Sequence, residues 1–294
     1  MIAAIPPSKP RAALWMSGWL FLMLFVAIAG RETLRDLNVF QVMEIRSLFG
    51  LAFLTPLILL NGGFGAMKTA RPVAHVSRNL VHYAAQLGWF YALTLIPLSQ
   101  LVSIEFTMPI WIAIMAAIFL GERMTRLKIA AIVLGLIGVV VIVRPTAGEL
   151  NVGQLFSLGS AFGFAISITL IKSLTRTDSA LKIIFWMIVV QSVAGLIPAL
   201  WSWQWPTAYV WFWLVVVGFC GTFSHFCMAR AMLYADATVV VPMDFLRVPL
   251  SATIGWLLYS EQLDVFTVLG AALILAGNML NLRSPAPAAA RAAT

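Results

Sequence analysis

Residues 108 to 143 read MPIWIAIMAAIFLGERMTRLKIAAIVLGLIGVVVIV: two apolar runs separated by a short basic hairpin, Gly121 to Lys128. A helix needs about 20 apolar residues to cross the roughly 30 Å hydrocarbon core of a bilayer, so the second run nearly spans it and the first does so together with the stretch from Leu98 that leads into it. The intervening charges mark the point where the chain turns back in water. Runs of this kind recur along almost the whole chain, which is 62% hydrophobic and 10% charged with a mean hydropathy of +0.96. That balance excludes a water-soluble domain, and the runs lack the polar/apolar alternation of a membrane barrel.

Working outward, the pattern predicts ten membrane helices, at about 12 to 30, 39 to 60, 79 to 96, 98 to 119, 126 to 143, 153 to 173, 182 to 201, 208 to 229, 237 to 259 and 264 to 281. Their short connections leave no room for a further domain, and SPAPAAARAAT, 284 to 294, reads as a disordered tail. Lys9 and Arg11 followed by an apolar run ending at Ala29 resemble a cleavable leader, but the first helix has a counterpart in the duplication below and is read as a permanent span. With both termini in the cytoplasm, Lys9, Arg11, Lys68, Arg71, Arg78, Arg123, Arg126, Lys128, Lys172, Arg176, Lys182, Arg283 and Arg291 fall on that side, and only Arg31, Arg35 and Arg144 fall outside. The net charge of +8 thus follows topology and implies no nucleic acid. WSWQWP, 201 to 206, reads as an interfacial anchor.

Shifted against itself by 139 residues, the chain brings Phe90 to Ser99 onto Ala229 to Thr238, Gln86 onto His225, Glu122 onto Glu261, Gly138 onto Gly277 and Arg144 onto Arg283. One register covering three helices implies a duplication. Five spans per copy is an odd number, so the copies cross the bilayer in opposite senses as inverted repeats, residues 1–146 and 147–283, an arrangement suited to alternating access.

In that register Asp244 falls on Glu105 and Phe245 on Phe106, so EFTMP and DFLRVP are versions of one element. An intramembrane charge facing lipid costs several kcal/mol, so Glu105, Asp244 and Arg247 are expected to face the bundle interior, to pair or to meet water. Pro109, Pro242 and Pro249 remove backbone donors and break the helices that carry these charges. Asp244 and Arg247, three apart, can pair with one another; alternatively Arg247 meets an anionic and Asp244 a cationic substrate group. Glu105, with no basic neighbour one turn away, is a candidate protonatable site unless a residue such as Arg46 partners it from another helix. Arg46, His225 and its mirror Gln86 are further candidates within spans, and Trp111 and Phe245 adjoin the acidic elements. Tyr83, Trp89, Tyr91 and Trp256 are additional aromatic candidates, weighed against ordinary packing.

Taken together, these residues resemble the EamA family of the drug/metabolite transporter superfamily. The resemblance rests on ten spans in two halves, Arg46 in the second helix, the stretch 108 to 143, and its mirror VPLSATIGWLLYSEQLDVFTVLGAALILAGNML at 248 to 280, where Ser260 replaces the first copy's glycine. PMDFLR, 242 to 247, is similar to the version in branches that include riboflavin and S-adenosylmethionine carriers. The resemblance implies a central cavity lined by helices other than the fifth and tenth.

The expected function is a secondary carrier in the cytoplasmic (inner) membrane for an amino-acid-like, flavin-like or nucleoside-like metabolite. Proton coupling, exchange and a homodimer are all compatible with the sequence. No GxxxxGK[ST] loop is present to bind ATP, nor HExxH, GxSxG or a His-Asp spacing for catalysis. Enzyme activity, cofactor and metal are therefore not expected. A structural or lipid-scrambling protein is the alternative.

Overall fold

The computed structural model describes residues 8–120, 125–144, 151–174, 177–235, 240 and 243–283. Every regular element among them is helical: α1 (Lys9–Thr33), α2 (Val39–Leu60), a 3-10 turn (Phe64–Met67), α3 (Pro72–Leu93), α4 (Leu98–Glu105), α5 (Met108–Leu120), α6 (Arg126–Val143), α7 (Val152–Leu174), α8 (Ala180–Trp201), α9 (Ala208–Tyr234), α10 (Arg247–Tyr259) and α11 (Val265–Arg283). Short polar residues start many of them. The side chains of Ser8, Asn38, Ser179 and Thr207 each accept from the backbone N–H three residues on, and Pro72 and Pro97 stand where a helix needs no donor.

Among the described residues, 8 helical segments are long and apolar enough to cross a membrane, α4 and the start of α5 counting as one, Leu98–Met115. α3 and α10 fall short for different reasons. The 13-residue α10 is the remainder of a broken span, whereas α3 has the length, 22 residues, but carries a buried polar stripe of His75, Arg78, Asn79, His82 and Gln86. Large apolar side chains such as Leu60, Val193, Ile197, Leu257 and Trp256 point outward, as expected where the surrounding medium is hydrocarbon. Trp256 therefore lines no interior pocket.

Three sequence expectations need correction. The third helix begins at Pro72 rather than near residue 79, because one polar face of its first turns, His75 and Arg78, is buried against partners; Arg78, counted on the cytoplasmic side, is 3% exposed. The fourth span is two helices, α4 and α5, separated at Phe106 and Thr107. The ninth is interrupted at Phe245 and Leu246 before α10. Pro109 is the second residue of α5 and Pro249 the third of α10, positions where a missing N–H costs nothing within the new helix. Pro242, Glu122 and the 284–294 tail lie outside the described residues.

Packing joins α1 to α9, α3 to α7, α2 to α8, α6 to α11, and α4 to α10. α6 and α11 meet through small residues. A Cβ on Gly138 would lie 2.7 Å from the Gly270 carbonyl oxygen, and one on Gly277 2.7 Å from that of Ala131, so the two backbones touch. The central core gathers Trp89, Phe90, Leu101, Ile104, Phe106, Ile142 and Ile274 around the broken helices.

Candidate functional site

Where α4 ends and α10 begins, one guanidinium is held by two carboxylates. Arg247 Nη1 forms an ion pair with Glu105 Oε1 at 2.9 Å, and Nη2 donates to Asp244 Oδ2 at 3.1 Å. All three residues are buried. Two indoles complete the acids: Trp89 Nε1 donates to Glu105 at 2.9 Å and Trp19 Nε1 to Asp244 at 2.6 Å. The guanidinium also lies over Phe106, 5.0 Å from its ring centroid. The Asp244–Arg247 pair therefore forms, and Glu105 has its basic partner in Arg247, not Arg46. With both acids ionised the cluster carries one surplus negative charge in a region where unbalanced charge is costly.

The helix breaks put the cluster together. Beyond Glu105 the chain turns through Phe106 and Thr107, and Ile110 N–H bonds to Thr107 rather than to Phe106 four residues back. The freed Phe106 carbonyl accepts from Asn278 Nδ2 on α11 at 2.8 Å. Phe245 packs edge to face on Phe106, centroids 5.4 Å apart.

A second polar group continues from the first. Trp19, bonded to Asp244, stands 5.8 Å ring to ring from His225, which stands 6.2 Å from His82 on α3. Ser167 of α7 meets His82 Nδ1 at 3.3 Å. Two turns of α3 further on from Arg78, Gln86 Oε1 accepts from Arg46 Nη1 at 3.4 Å and from Gln191 Nε2 at 2.7 Å. Arg46 lies against Gly221 of α9, where a side chain would occupy its space. Glu44, two residues from Arg46, points away and accepts from Ser192 of α8. Trp111 stands apart from both groups, its indole bonded to Thr107 and its ring packed on Phe162.

Polar ties close the bundle at both ends. At the end holding the α3–α4 turn, Arg31 pairs with Glu261, bonds the carbonyls of Leu93 and Ile96, and lies over Tyr259; Glu261 accepts the Leu98 N–H at 2.9 Å. Ser260, which precedes Glu261, takes the left-handed conformation, φ 53°, that ends α10. A hollow of ≈ 410 Å³ is lined by Arg31, Thr94, Pro97, Tyr259 and Glu261. At the opposite end Asp178, between α7 and α8, binds His75 at 3.0 Å, Lys182 at 3.1 Å and Thr69 at 2.9 Å. Burial alone would raise the Asp178 pKa, but the bonds from His75, Lys182 and Thr69 together hold it down at about 2.

Several of these residues escape a reading of the sequence. Trp19, Arg78, Asn79, Gln191 and Asn278 join the polar groups only through contacts between distant helices. A signal was present for α3 alone: His75, Arg78, Asn79, His82 and Gln86 repeat every three or four residues, one face of a helix.

A solved crystal structure, 18% identical in sequence, has the same fold, with a TM-score of 0.65 over 93% of this chain and 96% of its own. The chain is 27% identical over 279 residues to the S-adenosylmethionine uptake transporter of Rickettsia felis, covering 93% of this chain and 94% of that protein. It is 28% identical to the riboflavin transporter of Brucella anthropi over 78% of this chain and 83% of that protein. To the pseudopaline exporter CntI of Pseudomonas aeruginosa it is 26% identical over 83% of this chain and 86% of that protein. The model of the EamA-like transporter family matches residues 10–144 and again 151–283. The chain, a multi-pass membrane protein, therefore belongs to the EamA-like transporter family of the drug/metabolite transporter superfamily.

Proposed function

We propose that this protein is a secondary carrier that moves a small organic metabolite across the cytoplasmic membrane by alternating access between two inverted halves, residues 1–146 and 147–283, with both termini in the cytoplasm. The observation that carries the reading is Arg247 held between Glu105 and Asp244, acids in equivalent positions of the two halves, each beside a helix break. A buried charge cluster of this kind is costly to keep, and a bistable ion pair between mirrored elements is what a carrier needs in order to exchange one closed end for the other.

Packing supports the repeat. Exchange of the two halves turns the contact of α1 with α9 into that of α3 with α7, and turns Gly138 against Gly270 into Gly277 against Ala131. The double match of one family model supports it as well. The excess negative charge beside Arg247 suits a cationic substrate group or a coupling proton. The relatives' named cargoes, S-adenosylmethionine, riboflavin and pseudopaline, are all small polar organic molecules, and they are named in both uptake and export. Neither a cargo nor a direction carries over from them.

Proteoliposomes containing the purified protein should take up at least one radiolabelled compound from a panel of S-adenosylmethionine, riboflavin, amino acids and nucleosides, with a rate that saturates. Flux no greater than in empty liposomes across the panel, or flux that rises linearly without saturation, would count against a carrier.

A further inference from the structure

Arg46 and Arg78 are buried, 6% and 3% exposed, and neither meets a carboxylate among the described residues. Arg46 reaches only Gln86 and the Met43 sulfur; Arg78 Nη1 bonds its neighbour Asn79 at 2.6 Å, and its Nε has no partner. Asn79 Nδ2 and His82 Nε2 are likewise buried without partners. His82 lies one turn of α3 from Arg78 on one side and from Gln86, the partner of Arg46, on the other, and its ring stands 6.2 Å from that of His225. Arg247 is the contrast: at a similar depth of burial it holds two acids.

An unpaired guanidinium inside a bundle costs several kcal/mol, and among the described residues neither of these has an acid to offset that cost. Nothing in packing repays that. Gly221 leaves the room that Arg46 occupies, since a side chain there would collide with it. The one acid nearby in sequence, Glu44, is turned toward Ser192, with its second oxygen beside Tyr83 across Gly195.

We infer that Arg46 and Arg78, with Asn79 and His82, form the seat for a carboxylate of the transported molecule. The inference rests on the carrier reading above and narrows its substrate class. Glu44, turned away toward Ser192, leaves both guanidinium charges for an anionic group of the cargo to meet. Planar guanidinium donors also fit the two oxygens of a carboxylate. Trp19 and His225 connect this seat to Asp244 and Glu105, so a cargo that has a positive centre as well would meet charges of the right sign along one path.

The test uses the full chain in nanodiscs of phosphatidylcholine, which contain no anionic lipid. Thermal unfolding is followed in rising sodium acetate, sodium phosphate and sodium chloride at matched ionic strength. Acetate should raise the midpoint beyond chloride and saturate; Arg78→Gln and Arg46→Gln should each weaken the half-saturating concentration by about tenfold or more, and Arg78→Lys by less. The same acetate response in wild type and both glutamine variants would overturn the inference, as would phosphate saturating below acetate. Because this readout needs no transport, the two readings fail separately. A protein that responds to acetate but carries nothing keeps the seat and loses the carrier, and one that carries cargo but ignores acetate does the reverse.

Discussion

Phe106 and Phe245, 139 positions apart in sequence, meet edge to face with their ring centroids 5.4 Å apart, each the residue immediately after one of the two acids that hold Arg247. The contact places the two helix breaks against each other at the centre of the bundle. Whatever moves one break is felt at once by the other, through the rings and through the shared guanidinium.

Removing the guanidinium leaves two carboxylates buried without a cation. Arg247→Gln should lower stability by about 3–5 kcal/mol. Adding Glu105→Gln should recover a substantial part of the loss. Denaturant unfolding of the single and double variants in detergent measures this, and strictly additive losses would show that the ion pair is not the source.

Glu105→Gln and Asp244→Asn each retain one acid for Arg247, so both proteins should fold with unchanged helix content. Transport in proteoliposomes should fall at least about tenfold in each, the order expected for loss of a charged contact. Wild-type rates in both variants would confine the cluster to a structural role.

Asn278→Ala should strand the Phe106 carbonyl in an apolar setting at a cost of about 1–3 kcal/mol. Asn278→Asp offers that carbonyl no amide donor and should not rescue it, whereas Asn278→Gln should do so partly. Circular dichroism melts of the three variants rank them.

Gly138→Ala and Gly277→Ala each push a methyl against a facing backbone oxygen, which cannot swing aside, and at Gly138 against Ile274 as well. Each should cost about 1–3 kcal/mol, and the two losses should be similar. A neutral Gly138→Ala beside a damaging Gly277→Ala would break the equivalence of the two contacts.

Asp178 has a pKa depressed to about 2 in the folded protein against an ordinary 3.8, so its charge stabilises the fold fully above about pH 4 and that contribution fades as pH falls toward 2. The difference in melting temperature between wild type and Asp178→Asn should be constant from pH 7 to pH 5 and smaller at pH 3. A difference that grows on acidification would contradict the assigned contacts.

The order of apolar runs was enough to establish a helical membrane bundle, because twenty apolar residues have few other stable solutions in lipid. The acids, the prolines and the 139-residue register were equally legible, since a charge or a missing donor inside such a run is conspicuous by itself. Only the folded chain decided who meets whom. Arg247 and Glu105 lie 142 residues apart, and no local period could pair them. Arg78 looked like one more basic residue at a helix start until α7 and α8 closed around α3, and the role of Asn278 exists only because a break elsewhere frees one carbonyl. Local sequence sets where backbone hydrogen bonds can form, whereas the fate of a buried charge is set by what other helices bring to it.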